Sequence, residues 1–245
     1  MKRIRPFIRY YGGKWRTAPS YPSPKHNTIV EPFAGAAGYS LLYSDRDVIL
    51  IEKYAVLAEM WRYLISVDSY EIMAIPTVEH VNDLPSWVPQ GGRTLVGFAM
   101  NAACVSPCKS LSAGRKRSIE RGRKYEGWSS QLRIEVADNV NRIRHWKVIE
   151  GDYTLAPDIE ATWFVDPPYN NRAGSYYIHS DLDYVSLGSW CRGLPGQVIV
   201  CENEGADWLP FKPFKKIKAM SRPNGKSFSA EVIWTNDAVK LLDVM

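Results

Sequence analysis

Cysteines and long apolar segments are both scarce in this 245-residue chain. Its four cysteines (Cys104, Cys108, Cys191 and Cys201) are too scattered for a disulfide framework, and we expect reduced thiols. Cys104 and Cys108 have no second Cys/His pair at metal-ligand spacing, so we predict no metal site. No stretch approaches the roughly 20 apolar residues of a membrane span. The basic segment 1–5 lacks the apolar region of a signal peptide, so we expect an intracellular protein with no membrane partner.

Charge is only mildly unbalanced overall, but it is concentrated in one place. The net charge is +5, which suggests a polyanionic partner without requiring one. Between residues 109 and 124 the only acid is Glu120, and serines and two glycines suggest a mobile loop. Such a tract is either a solvated surface or a set of phosphate contacts. Its basic residues are Lys109, Arg115, Lys116, Arg117, Arg121, Arg123 and Lys124.

Short apolar runs alternate with segments of helical periodicity. Helices are predicted over residues 54–64 and 132–143, where apolar residues recur on one face. Strands alternating with helices favour an α/β protein with a mostly parallel, doubly wound sheet. The predicted buried strands are residues 28–30, 48–51, 146–149, 163–165, 197–200 and 231–234.

The interval 66–144 interrupts this alternation. It contains no convincing strand of the same sheet, and we interpret it as an inserted, mainly helical module that carries the basic tract. The predicted domains are therefore residues 1–65 together with 145–245, and the inserted module 66–144.

The tetrapeptide Asp166, Pro167, Pro168 and Tyr169 follows the apolar run 161–165 and is the most informative motif. Neither proline has an N–H to donate, and both stiffen the backbone after a buried strand. Open α/β sheets bind ligands at the carboxyl ends of their strands. There an exocyclic amine could donate to the Asp166 carboxylate and the Pro167 carbonyl while its ring stacks on Tyr169. The alternative is a proline-rich strand exit with a solvated acid.

A glycine-rich turn follows the first predicted strand. Residues 31–38 lead into an apolar helix start at 39–43, and their small side chains allow a ligand close to the backbone. Glu52 ends the next strand, where a carboxylate can bind ribose hydroxyls. No Gly-Lys-Ser/Thr ending suggests a phosphate loop, so a nucleoside cofactor without phosphates fits best.

These motifs and their order resemble the Dam-like (D12 class) DNA adenine-N6 methyltransferases. Residues 9–14 (Arg-Tyr-Tyr-Gly-Gly-Lys) resemble that family's N-terminal segment, residues 30–38 its glycine loop, and residues 166–169 its catalytic tetrapeptide. Asn224-Gly225 and the strand 231–234 resemble its final loop and strand. Two positions depart from the pattern: Glu52 stands where the family often has Asp, and Tyr10 where it often has Trp.

The resemblance implies a Rossmann-like methyltransferase sheet, S-adenosylmethionine as cofactor with S-adenosylhomocysteine as product, and a flipped adenine in double-stranded DNA as substrate. It implies catalytic roles for Asp166, Pro167, Pro168 and Tyr169. The cofactor-binding residues that it implies are Tyr10, Lys14, Glu31, Pro32, Phe33, Gly35, Ala36, Gly38, Glu52, Asp152 and Asp166.

Several of these assignments have a plainer alternative. Lys14 is either an active-site cation or a solvated lysine, and Asp152 either contacts the cofactor or caps a turn. Asn224 and Lys226 either contact DNA, as we expect of the basic tract, or belong to a hairpin turn. The histidines are unclustered, and we assign them no chemistry.

The function predicted is methyl transfer to adenine N6 in DNA, in the cytoplasm of a bacterial cell or a phage-infected host. N4-cytosine or RNA adenine methylation is a close alternative, and a non-catalytic nucleic-acid-binding protein is one of another class. The target sequence and any restriction endonuclease partner are not readable from the sequence.

Overall fold

The computed structural model describes residues 3–124, 126–218 and 228–237, with side chains for all of these except 216–218 and 228–229. This part of the chain is a mixed α/β structure with a seven-stranded, mostly parallel sheet and six α-helices. The strands are β1 (Thr28–Glu31), β2 (Asp47–Glu52), β3 (Lys147–Glu150), β4 (Ala161–Val165), β5 (Gly196–Asn203), β6 (Lys212–Lys218) and β7 (Phe228–Thr235). The helices are α1 (Ala55–Ser66), α2 (Ser69–Ala74), α3 (Gln90–Met100), α4 (Ala113–Glu120), α5 (Ser130–Val140) and α6 (Tyr184–Gly193).

The strand order is β3-β2-β1-β4-β5-β7-β6. Strands β1 to β5 are parallel to one another, whereas β7 runs antiparallel to both β5 and β6. The order reverses between β1 and β4, because the chain moves outward through β2 and β3 and then returns to the other side of β1. Such a reversal is a topological switch point, where ligands bind beyond the carboxyl ends of the strands.

Both faces of the sheet are covered, which is why its central strands are buried and mostly apolar. All five residues of β4 are buried. Phe164 faces a cluster that includes Trp61 of α1 and Phe98 of α3, whereas Trp163 faces Leu187 and its neighbours on α6. The alternation of side chains along β4 therefore builds two apolar layers, one on each face of the sheet.

The interval 66–144 has no strand of the sheet among its described residues, as predicted. Its helices α2, α3 and α5 contribute buried residues such as Ile72, Phe98 and Val136 to the cluster that covers the α1 face of the sheet. Much of the interval is thus continuous with the main core, and the domain boundaries given above stay a prediction.

Two local predictions differ from the structure, and one strand was not predicted. The expected helix start at 39–43 is a short 3-10 helix, Ser40–Tyr43. The expected mobile loop at 109–124 contains the helix α4, capped by Ser112, whose hydroxyl accepts a hydrogen bond from the Arg115 N–H. Strand β6 was missed, because lysines occupy much of Lys212–Lys218 and interrupt the apolar pattern. Lysine and proline are common on an edge strand, where they discourage pairing with other chains.

Candidate active site

An open cleft of about 850 Å³ lies beyond the carboxyl ends of β1, β2 and β4, at the switch point of the sheet. Every residue predicted to bind the cofactor contributes to its lining: Tyr10, Lys14, Glu31, Pro32, Phe33, Gly35, Ala36, Gly38, Glu52, Asp152 and Asp166. Of the remaining motif residues, Pro168 lines the cleft, whereas Pro167 and Tyr169 do not. The fold thus brings three distant sequence motifs to one cavity.

The glycine loop is held in an unusual backbone conformation by its neighbours. Gly35 and Ala37 have φ of 48° and 49°, in the left-handed region that a side chain makes costly. The Gly35 N–H donates to Glu52 Oε2 (3.0 Å), and the Gly35 carbonyl accepts from the Trp61 indole (2.9 Å). Contacts from β2 and α1 therefore fix the loop before any ligand binds.

Glu52 also accepts a hydrogen bond from the Tyr54 N–H through Oε1, at 2.9 Å. Burial raises the pKa of Glu52 to about 7, although the N–H groups of Tyr54 and Gly35 oppose the shift. The carboxyl group thus both anchors the glycine loop and faces the cleft, where the sequence predicted a ribose ligand.

Glu31 holds the end of the same loop through a hydrogen bond. It is 2% exposed, and its Oε1 accepts the Ser40 N–H at 2.7 Å, at the start of the 3-10 helix. Burial raises the pKa of Glu31 to about 8, against the opposing effect of Ser40. Its main contact is therefore with the chain itself, as a buried acceptor under the loop.

Lys14 and Asp166 form an ion pair in the wall of the cleft. The Lys14 ammonium lies 2.7 Å from Asp166 Oδ1 and donates a hydrogen bond to Oδ2 at 2.9 Å. It also donates to the Gly12 carbonyl at 3.2 Å. The Lys14 side chain is 8% exposed, so it is a buried cation in the cleft wall and not a solvated lysine.

The ionised form of Lys14 is strongly favoured. Burial alone would lower the pKa of Lys14, but Asp166, Tyr169 and Glu231 outweigh it and raise that pKa well above its ordinary value. Burial raises the pKa of Asp166, and the Lys14 ammonium opposes that shift. The wall of the cleft therefore contains an ammonium group that stays ionised.

The prolines and Tyr169 are held by their surroundings. The Tyr184 hydroxyl donates to the Pro168 carbonyl at 2.7 Å, and the Asn170 N–H donates to Glu202 Oε1 at 2.7 Å. The Tyr169 hydroxyl points to Glu231 at 3.4 Å, and its ring centroid lies 4.8 Å from the Lys14 ammonium. The ring predicted to stack on a base is therefore covered by Lys14.

The segment after the tetrapeptide supplies lining residues that the sequence did not reveal: Tyr177, Ile178, His179 and Leu182. The Tyr177 hydroxyl donates to the Tyr11 carbonyl at 3.2 Å, so this segment contacts the N-terminal one. A Cβ on Gly12, whose φ is +71°, would lie 2.1 Å from that hydroxyl. The Gly12-Gly13 pair was the only available sign of such a close approach.

Asp152 fits both of its sequence interpretations. It caps the 3-10 helix Tyr153–Leu155 by accepting the Thr154 N–H at 3.2 Å. It also pairs with the Lys53 ammonium at 3.2 Å and lines the cleft.

The basic tract divides into paired and unpaired residues. Arg115 pairs with the buried Glu126, which also pairs with Arg9 at 3.3 Å. Lys116 pairs with Glu79 at 2.5 Å. The other five are exposed and form no ion pair within the described ranges: Lys109, Arg117, Arg121, Arg123 and Lys124. Asn224 and Lys226, also predicted to contact DNA, lie outside the described residues.

Cys104 and Cys108 are free thiols, and their sulfur atoms lie 3.3 Å apart. Across the described residues, no group of three or more His, Cys, Asp or Glu side chains is arranged to hold a metal ion. In the same part of the chain, no helix has the length and apolar character needed to cross a bilayer.

Comparison with known proteins adds little to this geometry. No family model matches the sequence, and no curated protein matches it. One solved structure, a conserved hypothetical protein of Streptococcus pyogenes, is similar over 89% of each chain, with 10% identity and a TM-score of 0.35. A likeness of that size supports no functional argument.

Proposed function

We propose that this protein transfers the methyl group of S-adenosylmethionine to the N6 amine of adenine in DNA. The observation that carries the proposal is the pairing of Asp166 with an ammonium group inside the cleft that the glycine loop and Glu52 also line. The carboxylate at the end of β4 already accepts a hydrogen bond from an N–H donor, as it would from the neutral exocyclic amine of an adenine.

The cleft residues fit the proposed cofactor. The Glu52 carboxyl group would accept from ribose hydroxyls, and the adjacent rings of Phe33 and Tyr153, 5.7 Å apart, would offer one aromatic surface to an adenine ring. Gly35 and Ala36 leave the loop backbone open to close approach. Bound there, S-adenosylmethionine supplies an electrophilic methyl group on a sulfonium sulfur.

The reaction needs the target amine to be held and aimed. Hydrogen bonds from its two N–H groups to the Asp166 carboxylate and the Pro167 carbonyl would favour a more tetrahedral nitrogen with an available lone pair. Such positioning lowers the barrier through proximity and fixed charge. The methylated nitrogen must then lose a proton, which Asp166 can accept. Tyr169 would stack on the flipped base, and flipping is required because the amine is out of reach inside a duplex.

Exposed basic residues on and around α4 would bind the DNA backbone. Phosphate contacts of this kind supply affinity and orientation, whereas base-edge contacts supply sequence choice. We assign backbone contact to the five unpaired residues of the tract and target recognition to other parts of the interval 66–144. The proposed reaction would take place in the cytoplasm, where bacterial or phage DNA lies.

The proposal is tested by incubating the protein with labelled S-adenosylmethionine on DNA and, separately, on RNA, followed by nucleoside analysis. We expect labelled N6-methyladenine from DNA. Label in N4-methylcytosine or in RNA adenine would establish one of the two related activities instead. No labelled nucleoside, together with no cofactor binding in calorimetry, would establish a non-catalytic binding protein.

A further inference from the structure

Lys14 covers both groups that the proposed reaction assigns to the target base. Its ammonium lies against the Asp166 carboxylate, at 2.7 and 2.9 Å, and over the Tyr169 ring, 4.8 Å from the centroid. The carboxylate has other acceptor directions, but a base that donates its exocyclic amine to Asp166 and stacks on the Tyr169 ring would occupy the space of this ammonium. The lysine therefore has to move during each catalytic cycle.

The displaced ammonium needs another counter-ion, since an unpaired charge in a buried wall is costly. Glu231 on β7 is the nearest one: its Oε1 lies 3.9 Å from the Lys14 ammonium, and its side chain is 8% exposed. The Glu231 carboxyl group is fixed by two hydroxyls, with Tyr21 donating to Oε2 at 2.8 Å and Tyr169 to Oε1 at 3.4 Å. A short movement of the flexible lysine would complete a second ion pair.

We propose that the Lys14 ammonium occupies the amine position on Asp166 and transfers to Glu231 when the target amine binds. Glu231 is then a positioning residue, which acts through Lys14 and not on the base. This inference rests on the proposed function for its catalytic meaning, whereas the exchange between the two carboxylates is a property of the protein alone.

Charge balance favours this exchange. With both carboxyl groups ionised, Lys14 is one cation beside two anions, Asp166 at 2.7 Å and Glu231 at 3.9 Å. With Lys14 on Glu231 the same charges persist, and Asp166 gains a neutral donor in place of a charged one. The movement therefore creates no new buried charge.

The exchange is tested first without any substrate, by nuclear magnetic resonance of ¹⁵N-labelled lysine ammonium groups. The Lys14 signal is identified by its loss in Lys14→Met. In Asp166→Asn we expect that signal to shift yet stay protected from solvent exchange, because Glu231 captures the ammonium. In Asp166→Asn/Glu231→Gln we expect the protection to be lost. Loss of protection in Asp166→Asn alone would overturn the proposal.

A matched control separates the charge of Glu231 from its packing. Tyr21→Phe removes one hydrogen bond to Glu231 but keeps its carboxylate, so the Lys14 signal should stay protected in Asp166→Asn/Tyr21→Phe. Circular dichroism establishes that each variant is folded. Equal loss of protection with Tyr21→Phe and with Glu231→Gln would show a structural role only.

The catalytic consequence is tested by a double-mutant cycle on DNA. Glu231→Gln should lower kcat/KM for DNA by about tenfold when Lys14 is present, and by less than about twofold in the Lys14→Met background. Cofactor affinity should be unchanged by Glu231→Gln. Independent, additive losses would contradict the role through Lys14. If the wild type methylates no nucleic acid, the proposed function fails, while the resonance experiment still decides the exchange.

Discussion

A Cβ atom on Gly38 would lie 2.6 Å from the backbone nitrogen of Trp15, so the glycine loop and the N-terminal segment touch backbone to backbone. The same Cβ would lie 3.1 Å from the nitrogen of Lys14. The sequence assigned Gly38 to close approach by a cofactor. In the structure Gly38 lines the cleft, and the position of its absent Cβ is filled by the chain itself, a contact that helps to fix Lys14 beside Asp166.

Gly38→Ala should therefore destabilise the protein. Neither partner is a flexible side-chain end, so the added methyl must move backbone, and overpacking of this kind costs about 1–3 kcal/mol. The free energy of unfolding in urea measures the effect. The matched control is Gly114→Ala in α4, where a Cβ meets nothing within 4 Å and stability should stay the same or rise slightly. Equal changes in the two variants would contradict the backbone contact.

The buried acids predict a dependence of stability on pH. The pKa values of Glu31 and Glu52 are raised from 4.5 to about 8 and about 7, respectively. The folded protein thus binds these protons more tightly than the unfolded chain does. Folding takes up protons, so these two groups should make stability fall as pH rises from about 4.5 towards 8. Thermal unfolding across that range measures the slope.

Glu31→Gln should make this slope shallower, because an amide oxygen can still accept the Ser40 N–H without ionising. Glu120→Gln, at an exposed position on α4, serves as the control and should leave the slope unchanged. An identical pH dependence in wild type and Glu31→Gln would show that Glu31 does not titrate as described.

DNA binding should depend on salt through the unpaired basic residues. Replacing Arg117, Arg121 and Arg123 with glutamine should flatten the plot of log affinity against log salt, by about 0.9 for each lost phosphate contact. Lys116→Gln is the control, because its ammonium already pairs with Glu79 and should contribute less. If the triple variant kept the wild-type slope, the tract would be a solvated surface.

The sequence predicted the central sheet because a strand that is covered on both faces has a mostly apolar local sequence. Both faces of β4 are covered, and its residues 161–165 are accordingly all buried and, apart from Thr162, apolar. Residues 212–218 form an edge strand, where lysines are tolerated, so no apolar pattern identified β6. Helix α4 was missed because its exposed basic residues lack an apolar face, and its Ser112 cap is a weak signal by itself.

The cleft was predictable only where motifs specify it. Glycines and acids at strand ends indicated Gly35, Glu52 and Asp166. The ring of Tyr177 reaches the cleft through a fold-dependent contact with Tyr11, and no local pattern encodes such a contact. For the same reason, the pairing of Lys14 with Asp166 became visible only when the fold brought the two segments together.

The role of Asp166 in methyl transfer is tested most directly by assaying Asp166→Ala for methyl transfer and measuring its affinity for the cofactor. We expect this variant to form no detectable N6-methyladenine in DNA while its calorimetric binding of S-adenosylmethionine stays measurable. Asp45→Ala, which removes an exposed acid, should match the wild type in both assays. Near-normal formation of N6-methyladenine by Asp166→Ala would contradict the proposed role of Asp166 in methyl transfer.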